Sequence, residues 1–170
     1  GYERDDGLWD IEAHLVDLKS VSLTHPKVGR TKPAGVPLHE MKIRITVDTD
    51  MLIHGAEAVT IHAPFTPCAK PPLNYEKLKG ISLNKGWKKA VSEIIGGTAG
   101  CTHLLGLMNV VVNMAYQTIA SSPEFMQMLD QGEATPFFIN TCYSFKTEGE
   151  VVKLLFPEYY TPNEKSPATE

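Results

Sequence analysis

The chain has 170 residues, 42% of them hydrophobic and 21% charged, and a formal net charge of −4. That composition excludes a wholly disordered chain, and no run approaches the ~18 apolar residues a membrane-crossing helix needs. The negative balance argues against nucleic acid as a partner, and three cysteines are too few for a disulfide framework. The thiols read as reduced, which fits a cytoplasmic protein.

No signal-like apolar run opens the sequence. The length predicts one domain over residues 1–160, with a polar, flexible tail over 161–170. Leu8–Lys19 alternates, with Trp9, Ile11, Ala13 and Leu15 on one face and Asp10, Glu12, His14 and Val16 on the other, the period of a strand. Asp6-Gly7 before it is a turn signal. Ser20–Pro37 has no period and reads as a long loop. Met41–Asp48 alternates strictly, Leu52–Ile61 follows after a short Thr49-Asp50 link, and the two form a hairpin. The proline-rich Ala63–Pro72 cannot be α-helical. Asn74–Lys79 and Trp87–Ile95 are short helices, the second ended by Gly96-Gly97. Cys101–Ser121 carries Leu104, Leu107, Met108, Val111, Ala115 and Ile119 at helical spacing. Pro123–Asp130 is a further helix, and Phe137–Phe145 with Val151–Phe156 reads as a closing hairpin. The order predicts an α+β fold: a three-stranded antiparallel sheet, helices packed on one face, and a C-terminal hairpin.

Candidate chemistry centres on Gly96-Gly97-Thr98-Ala99-Gly100-Cys101-Thr102-His103-Leu104. Glycines lead into a long helix whose positive end favours a thiolate at Cys101, with His103 two residues on. The alternative is a plain loop with Thr102 as N-cap. His39 sits at the start of the hairpin and Cys68 just past its end, so the hairpin can bring them together. With the long helix across that end, His39, Cys68, Cys101 and His103 form a candidate four-donor site for zinc or iron. The alternative there is a loop-filling Cys68 and a locally bonded His39. Asp10, Glu12 and His14 on the first strand can supply a base or an orienting group, or form a solvated face, with Lys42 and Arg44 as cross-strand partners. Tyr116 reads as a core residue or a contact to a substrate ring. His25, His54 and His62 read as surface residues and Cys142 as core. No P-loop, GxGxxG, HExxH or GxSxG occurs.

The stretches Asp6-Gly7-Leu8-Trp9-Asp10-Ile11-Glu12, Pro37-Leu38-His39-Glu40-Met41 and Gly96–Leu104 resemble a bacterial family catalogued as a domain of unknown function. Cys142, Glu148-Gly149-Glu150-Val151-Val152 and Phe156-Pro157 resemble that family's ending. The resemblance implies catabolism of aromatic, lignin-derived compounds, with a phenylcoumaran γ-formaldehyde lyase as one candidate activity. It implies a small-molecule enzyme, leaning to a carbon–carbon lyase, with an aromatic substrate and a homo-oligomer left open. In such a reaction His103 or Glu12 would be the base, and Cys101 and His39, with or without a metal, would stabilise negative charge. In architecture the chain also resembles the U-type iron–sulfur assembly scaffold, with His39 where that scaffold has a cysteine. That likeness implies a non-enzymatic metal or iron–sulfur carrier as the alternative.

Overall fold

The computed structural model describes residues 1–27 and 29–162. The chain divides into two compact units, Gly1–Ile119 and Ala120–Glu170.

The first unit is built on a four-stranded antiparallel sheet. Its strands are β1 (Tyr2–Glu3), β2 (Trp9–Asp17), β5 (His39–Val47) and β6 (Ile53–His62), in spatial order β1-β2-β5-β6. The long loop carries its own two-stranded ribbon, β3 (Leu23–Thr24) with β4 (Thr31–Lys32). The expected three-stranded sheet is therefore corrected to one of four strands plus one of two. The Asp6-Gly7 signal closes a hairpin, with Gly7 in the left-handed region (φ 77°), and Tyr2 and Glu3 pair back onto Asp10 and Trp9. Two-residue strands carry too little alternation for a period to be read.

The register fixes which side chains share a face. Trp9 pairs with Val47, Ile11 with Ile45, Ala13 with Ile43, Leu15 with Met41 and Asp17 with His39. Met41, Ile43, Ile45 and Val47 are all buried, as strict alternation predicts. Asp10, Glu12, His14 and Val16 take the outer face with Thr46, Arg44, Lys42 and Glu40. Beside Ile53 runs the segment around residues 80–83, with Gly80 N–H on the Ile53 carbonyl (2.8 Å) and Ile53 N–H on the Ile81 carbonyl (2.9 Å).

Two helices complete this core. Helix α1 (Trp87–Ile95) buries Val91 and Ile95. Helix α2 (Thr102–Ala120) buries Leu104, Leu107, Met108, Val111, Val112, Ala115 and Ile119, and these join the inward strand residues in one cluster. The proline-rich stretch is not α-helical, as expected, yet it winds into 3-10 turns at Thr66–Ala69 and Pro71–Leu78, each with proline within its first two positions, where no intrahelical N–H is needed.

The second unit holds α3 (Pro123–Asp130) and α4 (Glu150–Leu155). Ser122 caps α3 by accepting the Phe125 N–H at 3.2 Å, and Pro123 starts it. No C-terminal hairpin forms among the described residues. Val151–Phe156, expected as its second strand, is mostly apolar and short enough to suit either state. Gly149 precedes it in extended conformation, Glu150 lies in its first turn, Lys153 in its last, and Val152 alone is fully buried, all of which suits a helix. Residues 137–145 fold into turns that gather rings instead, with Phe138 packed on Phe145 (4.8 Å) and on Phe156 (5.3 Å). Cys142, expected in a strand interior, is exposed. The expected flexible tail lies largely outside the described residues.

Candidate functional site

Strand parity places Asp17 and His39 opposite each other at one end of the sheet, on the inward face. His39 Nδ1–H donates to Asp17 Oδ2 at 3.0 Å, and the other carboxylate oxygen takes Lys19 Nζ at 2.7 Å. Both side chains are largely covered, at 14% and 23% exposure. Helix α2 begins just beyond this end. The Cys101 carbonyl accepts the Leu105 N–H (2.9 Å), so Cys101, not Thr102, is the N-cap. His103 then lies in the first turn and stacks on His39, with ring centroids 4.1 Å apart and planes 30° apart. The Cys101 thiol faces His103 Nδ1 at 3.8 Å.

His39, His103 and Cys101 thus come together as expected from the hairpin end and the helix start. Asp17 joins them, a residue the sequence reading passed over. Cys68 lies in the Thr66–Ala69 turn, its carbonyl accepting the Thr60 hydroxyl at 3.1 Å. Glu12 is on the other face of the sheet, where Arg44 Nε donates to it at 2.7 Å. The predicted Glu12–Arg44 cross-strand pair therefore exists, and Glu12 does not meet His103. On that outer face His14 Nε2–H and His62 Nδ1–H both donate to Glu40, at 3.0 and 2.8 Å. His54 donates to Asp48 at 2.7 Å. His62 and His54, read from sequence as surface residues, keep side chains 43% and 40% exposed, and each is paired with a carboxylate.

Two surface grooves lie elsewhere. One of about 360 Å³ is lined by Glu12, His14, Lys42, Arg44 and Glu57 on the outer face. The other, about 500 Å³, takes in Asn84, Trp87 and Tyr116, whose hydroxyl donates to the Leu83 carbonyl at 2.9 Å.

The electrostatics divide the roles. The Lys19 ammonium first, and His39 second, hold the Asp17 carboxyl below the usual range, so it stays an anion. An anion on Nδ1–H leaves the lone pair of neutral His39 on Nε2. Burial first, and the charge of His39 second, lower His103 from the usual value of 6.5. At neutral pH His103 is therefore an uncharged base.

Stability should follow. The unfolded chain protonates His103 near 6.5, the folded chain only at lower pH. The favourable contribution of neutral His103 is thus present above 6.5 and lost as pH falls through the folded value. Asp17 and Glu40, both lowered, are favourable as anions, and that contribution is lost below their ordinary values of 3.8 and 4.5. The urea midpoint should fall in two stages on acidification, and His103→Ala should remove the first.

Among the described residues, no group of three or more His, Cys, Asp or Glu side chains is arranged to hold a metal ion. The stack explains this locally. Ring-nitrogen lone pairs lie in the ring planes, and two nearly parallel planes do not aim them at one point. Nor, among the described residues, is any single helix long and apolar enough to cross a membrane.

Fold and site together define an α+β domain carrying a His/Cys/carboxylate cluster at one end of its sheet. The chain belongs to the family described as Protein of unknown function (DUF2889), which matches residues 1–117 and so contains Asp17, His39, Cys101 and His103. No curated protein and no solved structure matches the chain.

Proposed function

We propose that this protein is a small-molecule enzyme that moves protons at Asp17, His39 and His103, and that its reaction is a lyase cleavage of an aromatic compound bearing a hydroxymethyl group. The observation that carries the first part is the His39–His103 stack, one ring held by a carboxylate and the other depressed as an acid. As a structural staple, two imidazoles in contact are poor, because they repel once both are protonated. As an acid–base pair they are useful, because burial and the neighbouring ring lower His103 while the Asp17 carboxylate orients His39.

The reaction class follows from the family resemblance together with that pair. His103 takes the hydroxyl proton of the substrate. The carbon–carbon bond breaks, formaldehyde leaves, and the electron pair stays on the carbon next to the aromatic system. That carbon takes a proton back from the imidazole pair. The oxidation of one carbon balances the reduction of the other, so no external oxidant or reductant is needed.

The test is formaldehyde release from hydroxymethyl-bearing phenylcoumarans, with metal content measured on the same untagged protein. Asp17→Asn should retain the fold and lose roughly tenfold or more in rate, because the amide no longer fixes the His39 tautomer. Full activity in Asp17→Asn would overturn the proton-transfer assignment. One equivalent of zinc or iron, with activity lost on chelation, would favour the metal-dependent alternative. Absence of formaldehyde with every such substrate would sink the lyase reading.

A further inference from the structure

The four-stranded sheet has one edge that its own chain leaves bare. Strand β1 covers β2 only at Trp9 and Asp10, so Ile11–Asp17 has β5 on one side and no strand on the other. The long loop prolongs the β2–β5 hairpin lengthwise, with Leu38 N–H on the Asp17 carbonyl (2.8 Å) and Gly35 N–H on the Lys19 carbonyl (2.9 Å).

Main-chain groups of an antiparallel strand alternate between its two sides. The Leu8 carbonyl takes the Arg4 N–H on the β1 side, whereas Asp17 faces β5 through Leu38. Even-numbered residues of β2 therefore turn their N–H and C=O to the bare edge. At Glu12, His14 and Val16 these groups have no hydrogen-bond partner among the described residues. Proteins usually blunt such an edge with proline, lysine or a bulge. Residues 11–17 contain no proline, glycine or lysine, and their register with β5 runs without a shift. On the inward side Ala13 and Leu15 are only half-buried, although Ile43 and Met41 opposite them in β5 are sealed.

We infer that this edge pairs antiparallel with the same edge of a second copy, about a two-fold axis at His14, making one continuous sheet across a dimer. Self-complementarity favours a second copy over a foreign strand. A two-fold normal to the sheet keeps inward side chains inward only when paired residue numbers share parity. Among such registers, the one centred on His14 uses the whole bare stretch. It places Glu12 opposite Val16 and His14 opposite its own copy, so every bare N–H meets a C=O. On the inward face Ala13 meets Leu15, small against large. On the outer face no two carboxylates or ammonium groups oppose each other. Glu12 lies diagonal to His14 of the second copy, an acid beside a base on each side of the axis. Ile11 meets Asp17, whose carboxylate is already held by His39 and Lys19, so no charge is stranded.

Sedimentation from about 1 μM to about 1 mM should show the mass rise from the 18.8 kDa of one chain to twice that. Amide hydrogen exchange supplies the fingerprint. Ile11, Ala13 and Leu15, bonded to β5, should be protected throughout, and Glu12, His14 and Val16 only in the concentrated sample. Val16 is exposed and lies opposite Glu12 of the second copy, so charge there has a predicted sign. Val16→Lys should tighten dimerisation and Val16→Glu should weaken it, each roughly fivefold, because the pair occurs twice. Exchange is read on the native chain, so it decides the matter even where a Val16 variant melts early. A chain that stays monomeric throughout, a dimer whose Glu12, His14 and Val16 amides exchange freely, or folded Val16 variants that shift the same way would each overturn the inference. Formaldehyde release plays no part in these measurements, so the lyase reading stands or falls separately.

Discussion

His103→Ala should cut turnover steeply while leaving the fold in place. The imidazole is half-buried in the first turn of α2, whereas the core contacts of that helix begin at Leu104. Removing it should therefore shift Tm by no more than about 3 °C, the equivalent of about 1 kcal/mol. The rate should fall on the order of 10²-fold or more, the usual scale for a general acid–base group. The stack also predicts an asymmetry. With His103 gone, His39 still holds Asp17 but has lost its neighbour, so the residual rate should have a different pH profile and not merely a lower plateau. The measurement is a paired one of melting and product formation across pH. A variant that melts far lower yet keeps full specific activity in its folded fraction would make His103 structural.

Gly100→Ala should be the most damaging small substitution in the first unit. A Cβ at this position would collide with the Ile95 carbonyl oxygen, and one at Gly96 with that of Ser92. Both obstacles are backbone at the end of α1, so neither can swing aside as a side chain can. The expected cost is about 3 kcal/mol, at the upper end for overpacking, together with displacement of the adjacent Cys101 and loss of activity. Gly106 supplies the contrast. It is exposed within α2, and a Cβ there meets nothing within 4 Å. Gly106→Ala should stabilise the chain by up to about 1 kcal/mol through helix propensity. Chemical denaturation of the two variants checks both signs, and a mild Gly100→Ala would refute the close-approach argument. Gly96 and Gly100 thus have a packing cause, backbone meeting backbone of the same chain, whereas Gly97 has open space around it and a left-handed φ of 54°.

What could be read from sequence followed the length of each periodic signal. Trp87–Ile95 and Pro123–Asp130 match the helices residue for residue, because helical spacing, Gly96 and the Ser122-Pro123 start bound them clearly. The strand over Met41–Asp48 was equally plain. Tyr2–Glu3 and Leu23–Thr24 were not, since two residues define no period. The strand expected over Val151–Phe156 is a helix over Glu150–Leu155: the β-branched valines suggest a strand, while the first-turn and last-turn charges and the burial favour a helix. At the site, the hairpin ends and the helix start sufficed to join His39 with Cys101 and His103. Asp17 was missed although its signal was present. It shares parity with Trp9, Ile11, Ala13 and Leu15, and a carboxylate on an inward face demands a partner. Glu40 and its two histidines, by the same parity, belong to the opposite face.

The face-to-face imidazoles have a further consequence in the counting of hydrogen ions. At a centroid separation of 4.1 Å, a charge on one ring opposes a charge on the other, as the depression of His103 by His39 already shows. A proton on His39 therefore disfavours one on His103, and under the proposed reading the two rings would pass protons one at a time without any moving part.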